Sequence, residues 1–241
     1  MRRISLDRLW LFLALTIVCS AGRLEFLSAA HAAKSTATKT PTSVEKPTKE
    51  HGSTPGWKVV QQSTYAGEQT CYITSLGTKI QSKLVTSVIR LPAKSVLLYN
   101  DDTRGYCQLS YEQWMSQMRR KVKGNSRKII RGESGTVCGI KAIQYKFENV
   151  IGSKRRVTEE YWTAASSEIP TQLTSPLSDL ADLPNDLGLP LKIIQYKADG
   201  SKNVMLDTIS FKKVKVDNAI YNKPVGYENM HDPITLVLGA Q

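Results

Sequence analysis

Acid–base, nucleophilic and metal chemistry each need particular side chains held together, and the 241-residue chain offers few of them. Its three histidines are His31, His51 and His231. The first lies in an N-terminal segment that reads as cleaved, the second in a polar stretch, the third in the tail. None falls in text that reads as core, which disfavours Ser-His-Asp and Cys-His catalysis and histidine-rich metal sites. Carboxylates are adjacent at Asp101-Asp102 and Glu159-Glu160. Neighbours on a strand point to opposite faces, so neither pair makes an acid/base couple by itself. A turn for the aspartates and a solvated edge for the glutamates are expected. Asp179, Asp182 and Asp186 read as the polar face of a helix. No Cys-x-x-Cys occurs, so thioredoxin-like and zinc-ribbon readings fall away. No catalytic residue, metal or cofactor is expected.

Cations are more numerous. Arg119, Arg120, Lys121 and Lys123 close a helix, followed by Arg127, Lys128 and Arg131, then Lys154, Arg155 and Arg156 at a turn, and Lys212, Lys213 and Lys215 near the last strand. Cations at a helix C-terminus are favoured by its dipole, which accounts for the first group without a ligand. If the groups converge on one rim, Arg119, Arg120, Lys154, Arg155 and Arg156 make an anionic-surface site. The formal net charge is +12. Removing residues 1 to 32 takes four of the 33 basic and two of the 21 acidic residues, so +10 stays with the mature chain. Outside the cytoplasm such a charge favours lipid head groups or acidic envelope polymers over nucleic acid.

Export is what the N-terminus states. Arg2, Arg3 and Arg8 precede an eleven-residue apolar run from Leu9 to Cys19, short of the roughly 20 residues a spanning helix needs. Ala30-His31-Ala32 supplies small residues for signal peptidase, so cleavage is expected near Ala32 and the mature protein is extracytoplasmic, periplasmic or secreted. Val18 is too bulky for a lipobox before Cys19, and Arg2-Arg3 lacks the flanking twin-arginine pattern. In an oxidising compartment Cys71, Cys107 and Cys138 permit one disulfide; Cys107 with Cys138 is the preferred pairing, Cys71 the alternative.

Residues 33 to 56 are Lys, Thr, Ser, Pro, Glu and Gly with little to bury, and read as a disordered linker. Residues 57 to 241 suit a single domain. Strand text dominates: 57–61, 71–76, 79–91, 95–99, 105–109, 128–131, 136–147, 156–164, 191–197, 203–211 and 213–216, rich in β-branched and aromatic residues. Turns fall at Ala198-Asp199-Gly200-Ser201 and at residues 149–153. Two helices interrupt. Ser110 with Gln113 forms a capping box before Trp114, Met118 and Val122 at helical spacing, and residues 176–187 carry Leu177, Leu180 and Leu183. The expected fold is mainly β, α+β: a curved antiparallel half-barrel with helices on its concave face.

Certain stretches carry a resemblance. They are 135–142 (Gly-Thr-Val-Cys-Gly-Ile-Lys-Ala), Glu160-Tyr161-Trp162-Thr163 before Ile169-Pro170, Gly188-Leu189-Pro190-Leu191, and Lys223-Pro224-Val225-Gly226-Tyr227. With the strand, turn, strand passage from Val88 to Tyr106, they resemble an uncharacterised bacterial envelope domain family of the LolA-like, lipoprotein-carrier-like class. The resemblance runs from about residue 72 to 229 and implies a half-open β-barrel closed by helices, the shape in which such carriers hold acyl chains. No residue maps onto a carrier site. The expected function is a non-catalytic envelope protein binding a lipid or amphiphile in a sheet–helix cleft lined by Trp114, Met118, Trp162 and Leu180. The alternative is an interaction module that binds a protein or anionic polymer and has no small-molecule site.

Overall fold

The computed structural model describes residues 52–118, 127–151 and 154–238. The export segment, most of the linker, and Arg119 and Arg120 lie outside the described residues. Within them the chain forms one open, curved, twelve-stranded sheet. The first six strands meander outward from the centre: β1 (Ser53–Ser63), β2 (Gly67–Thr74), β3 (Gly77–Gln81), β4 (Thr86–Arg90), β5 (Ser95–Asn100) and β6 (Gly105–Ser110). The helix α1 (Tyr111–Met118) follows, and the chain resumes at the opposite edge with β7 (Lys128–Val137). From there β8 (Ile140–Ile151), β9 (Lys154–Ala164), β10 (Pro190–Tyr196) and β11 (Lys202–Asp217) meander back until β11 pairs with β1. Two antiparallel meanders thus share one central seam. A short β12 (Glu228–Asn229) lies parallel to β6 and covers that edge. Between β9 and β10 stands α2 (Thr171–Leu180), and α3 (Pro233–Leu238) closes the described chain.

Alternation sorts the side chains. On β5, Val96 and Leu98 face the main core while Leu97 and Tyr99 face the other side. The main core gathers Val59, Ile73, Ile89, Val96 and Leu98 from the sheet against Trp114 and Met115 of α1, Leu177 of α2 and Leu236 of α3. Each such side chain contributes about 1.5–3 kcal/mol on burial, so the helices are held chiefly by their apolar stripes. Part of the opposite face of β2 to β6 is covered by the chain after β11. Tyr221 there accepts a hydrogen bond from Thr74 at 2.9 Å, and its carbonyl accepts one from Arg90.

The capping box forms as expected. Gln113 N donates to Ser110 Oγ at 3.1 Å and Ser110 N donates to Gln113 Oε1 at 2.9 Å. The turn at 198–201 also forms, with Gly200 at φ 85° and Ser201 N donating to Asp199.

Several expectations are corrected. The run 79–91 is not one strand: Ser82 Oγ donates to Val85 O and accepts from Val85 N, folding it into the β3–β4 hairpin. The run 136–147 is likewise broken at Cys138 and Gly139, whose φ values of 51° and 75° make the mirror-image turn that suits strand twist. The strand β1 takes in residues 53 to 56, read above as the end of the linker.

The second helix begins at Thr171, not Pro176, which sits inside it. Proline there cannot donate to the carbonyl four residues back, and Ser175 Oγ takes that Gln172 carbonyl instead, at 3.4 Å. The helix ends at Leu180, and a separate 3-10 turn covers Asn185–Leu187.

The expected disulfide is absent: Cys71, Cys107 and Cys138 are free thiols. Three strands separate β2 from β6, and β6 stands far from the β7–β8 turn in strand order. A bridge needs Cα atoms within about 7 Å. Cys138 instead donates its thiol to the Ile209 carbonyl at 3.1 Å, at the residue that β1–β11 pairing skips.

Candidate functional site

Beside the C-terminal end of α2 lies an open cleft of about 480 Å³, lined by Arg127, Ile129, Phe147, Asp179, Asp182, Leu183 and Pro184. Three elements build it. The edge strand β7 contributes exposed Ile129, and β8 contributes Phe147, which is fully buried. The turn after α2 contributes Asp182, held at φ 56°, and buried Leu183.

Arg127 organises this region. Its guanidinium carbon sits 3.9 Å from the centre of the Phe147 ring, so the cation forms a lid over the aromatic floor. It donates to Glu159, to the Asp182 carboxylate at 3.0 Å and carbonyl at 3.2 Å, and to the Tyr161 hydroxyl at 3.3 Å. Its Nε is buried with no hydrogen-bond partner among the described residues. Burial, and then the Glu159 charge, push the Tyr161 hydroxyl far above its ordinary range, so it remains a donor. On the other wall Tyr111 donates to Asp179 at 2.5 Å, tying α1 to α2.

Register carries the apolar floor onward. Tyr145, Tyr161, Ile193 and Leu206 stand opposite one another across β8, β9, β10 and β11, and therefore share one face. Glu160 occupies the opposite face and is buried. It accepts from Tyr196 at 2.7 Å and Trp162 Nε1 at 2.8 Å. Burial acts to raise its pKa, but the hydrogen bonds from Tyr196, Trp162 and Gln144 and the Lys202 charge outweigh it, leaving a lowered value. Burial and the bond to Glu160 push the Tyr196 hydroxyl up to about 12. Two glycines of β7 make the room: a Cβ on Gly135 would lie 2.8 Å from the Trp162 ring, and one on Gly132 2.3 Å from Gln144.

The glutamates are therefore not a solvated edge; each is engaged, on its own face of β9. As expected, they do not form a couple. Asp101 and Asp102 do lie in a turn. Asp182 lies beyond α2 and bonds Arg127, so it is no polar helix face.

Three of the residues expected to line a cleft, Trp114, Trp162 and Leu180, meet at the main core. Trp114 is 3 % exposed and is part of the core, as is half-buried Leu180. Trp162 packs beneath Gly135, and Met118 is the last described residue of α1. Lys154, Arg155 and Arg156 are exposed at the start of β9. Arg127 was read from sequence as one of a basic run. Its special position came from the aromatics at 147 and 161, twenty or more residues away, with no local signal to mark it.

Among the described residues no group of three or more His, Cys, Asp or Glu is placed to hold a metal, and His231 is exposed. No family model and no curated protein matches the chain. Among solved structures, an uncharacterized conserved protein from Thermus thermophilus is similar, with a TM-score of 0.43, 12% identity, and coverage of 74% of this chain and 91% of that one. The Pseudomonas aeruginosa MucA/MucB complex gives 0.33 and 12%, covering 74% of this chain and 58% of the matched one. A LolA superfamily protein from Nitrosomonas europaea gives 0.24 and 10%, covering 73% and 92%.

Proposed function

We propose that this chain is an exported, non-catalytic envelope protein that binds an amphiphile in the cleft between the β7–β8 edge and the end of α2. The cleft carries the reading. Its volume of about 480 Å³ falls in the range of roughly 300–1,000 Å³ usual for small-molecule sites. An apolar chain would lie along Ile129 and Pro184, with its polar head at Arg127. The pairing of a small apolar patch with a few fixed polar groups suits a ligand that is itself two-sided.

The test is titration of delipidated protein with a fluorescent long-chain fatty acid, alongside mass spectrometry of lipids that co-purify with it. Uptake is expected, and Ile129→Asp, at an exposed position, weakens it at least tenfold. No uptake and no co-purified lipid sink the reading.

A second reading rests on a different observation. The core between sheet and helices is filled by the protein's own side chains, with Trp114, Leu177 and Leu189 all buried. That favours an interaction module binding a protein or anionic polymer, and it is the outcome if the fatty acid finds no site.

A further inference from the structure

The outer face of β11, β1, β2 and β3 carries a row of cations that the cleft does not use. Pairing places Lys212 opposite Lys58, Lys58 opposite Tyr72, and Tyr72 opposite Lys79. Like charges directly opposite on neighbouring strands destabilise a sheet. The ion pairs among the described residues join Arg127 to Glu159 and Asp182, and Lys192 to Asp207, so none of them relieves this row.

The row continues into a belt of rings. Lys58 Nζ lies 5.7 Å from the Tyr72 ring centre and Lys79 Nζ 5.8 Å from that of Tyr99. Tyr99 packs edge-on against Tyr227 at 5.8 Å and stands opposite Tyr106 in register. Lys223 Nζ caps Tyr106 at 4.6 Å. Asp101 accepts from the Tyr227 hydroxyl at 2.6 Å, and Glu68 and Asp207, both opposite Gln62, lie on the same face toward the far end of β1. Between Lys223 and Tyr227 the chain turns through Gly226, at φ 78°, and holds Val225 out at 93 % exposure.

We propose that this face docks peripherally on a bilayer containing anionic phospholipid. From Lys212 on β11 to Lys223 over Tyr106 on β6 is six strand spacings, about 29 Å along the sheet. That is too wide for a small anion and suits a plane of head groups. The lysines meet the phosphates. The half-buried Tyr72, Tyr106 and Tyr227 take the interfacial position such rings prefer, with Tyr99 buried beneath them, and the exposed Val225 enters the head-group boundary. A soluble polyanion would use the lysines but gain nothing from Val225. Among the described residues no helix is long and apolar enough to cross a membrane. The contact does not depend on the cleft.

The experiment is co-sedimentation of the protein, recovered from the envelope of the cells that express it, with phosphatidylglycerol–phosphatidylcholine vesicles and with phosphatidylcholine vesicles. Binding is expected to the first and not the second. At roughly fivefold per lysine near an anionic surface, the combined Lys58→Gln, Lys79→Gln, Lys212→Gln variant loses on the order of 100-fold. Val225→Ser loses several-fold. Thermal melts that match wild type show that the substitutions leave the fold intact. Equal binding to neutral vesicles, an unaffected triple variant, or an unaffected Val225→Ser overturns the proposal. So does retention on dextran sulfate without vesicle binding, which points to a soluble polymer.

Discussion

Arg127 lies over Phe147, 3.9 Å from guanidinium carbon to ring centre, while the same guanidinium donates to Glu159 on the neighbouring strand. One side chain at the start of the sheet edge thereby seals an aromatic ring, neutralises a part-buried carboxylate and pins the turn after α2.

Arg127→Ala removes all three. The Glu159 side chain, 15% exposed, is left as a poorly solvated charge, and Phe147 loses its cover. A loss of about 2–3 kcal/mol is expected, read as a lower urea midpoint with an unchanged slope. Arg127→Lys recovers only part of it, because a point charge cannot reach Glu159 and Asp182 together while stacking on the ring. Equal stability of wild type and Arg127→Ala would refute the role.

Glu160 makes stability depend on pH. Its folded pKa lies below the ordinary value of 4.5. Its contribution is therefore present above the unfolded value and is lost as pH falls through the lower folded one. Urea unfolding followed downward from pH near 6 should show stability declining in that acid window. Glu160→Gln should be less stable at neutral pH and should lack this part of the decline. Parallel pH profiles for the two proteins would show that Glu160 is not the group responsible.

Gly135 is needed for the absence of a side chain. A Cβ there meets the Trp162 ring at 2.8 Å, and the ring is held by its bond to Glu160. Gly135→Ala should cost about 1–3 kcal/mol and shift the tryptophan emission as the ring moves. A variant with wild-type emission and melting temperature would mean that β7 yields instead.

The thiols should separate by reactivity. Cys138 is exposed, whereas Cys71 is fully buried and its pKa is pushed up to about 12 by burial. Cys107 is raised as well, by burial and then by the nearby Asp232 charge. With iodoacetamide at mildly alkaline pH, Cys138 should alkylate in the folded protein, and the other two only in urea. Recovery of a Cys107–Cys138 linked peptide from the native protein would contradict the free thiols.

Much of the architecture was legible because it rests on local rules. The Ser110–Gln113 capping box and the Asp199-Gly200 turn are each written within a few residues, and each forms. The alternation of β-branched and aromatic residues marks strands wherever they lie. What misled was also local: Ser82 and the Cys138-Gly139 turn interrupt strand-like text without proline or a polar cluster. Pro176 read as a helix start when a serine beside it compensates for the missing donor.

The amino-acid sequence by itself determined the class of fold, the capped helix and the basic balance, since periodicity, capping and charge act over short stretches. Tertiary structure decided which strands became neighbours. Only that pairing brings Arg127 over Phe147, separates Glu159 from Glu160, moves Cys107 out of reach of Cys138, and sets Lys212 against Lys58. Register joins residues tens of positions apart, and nothing in the local chemistry of either partner announces the other.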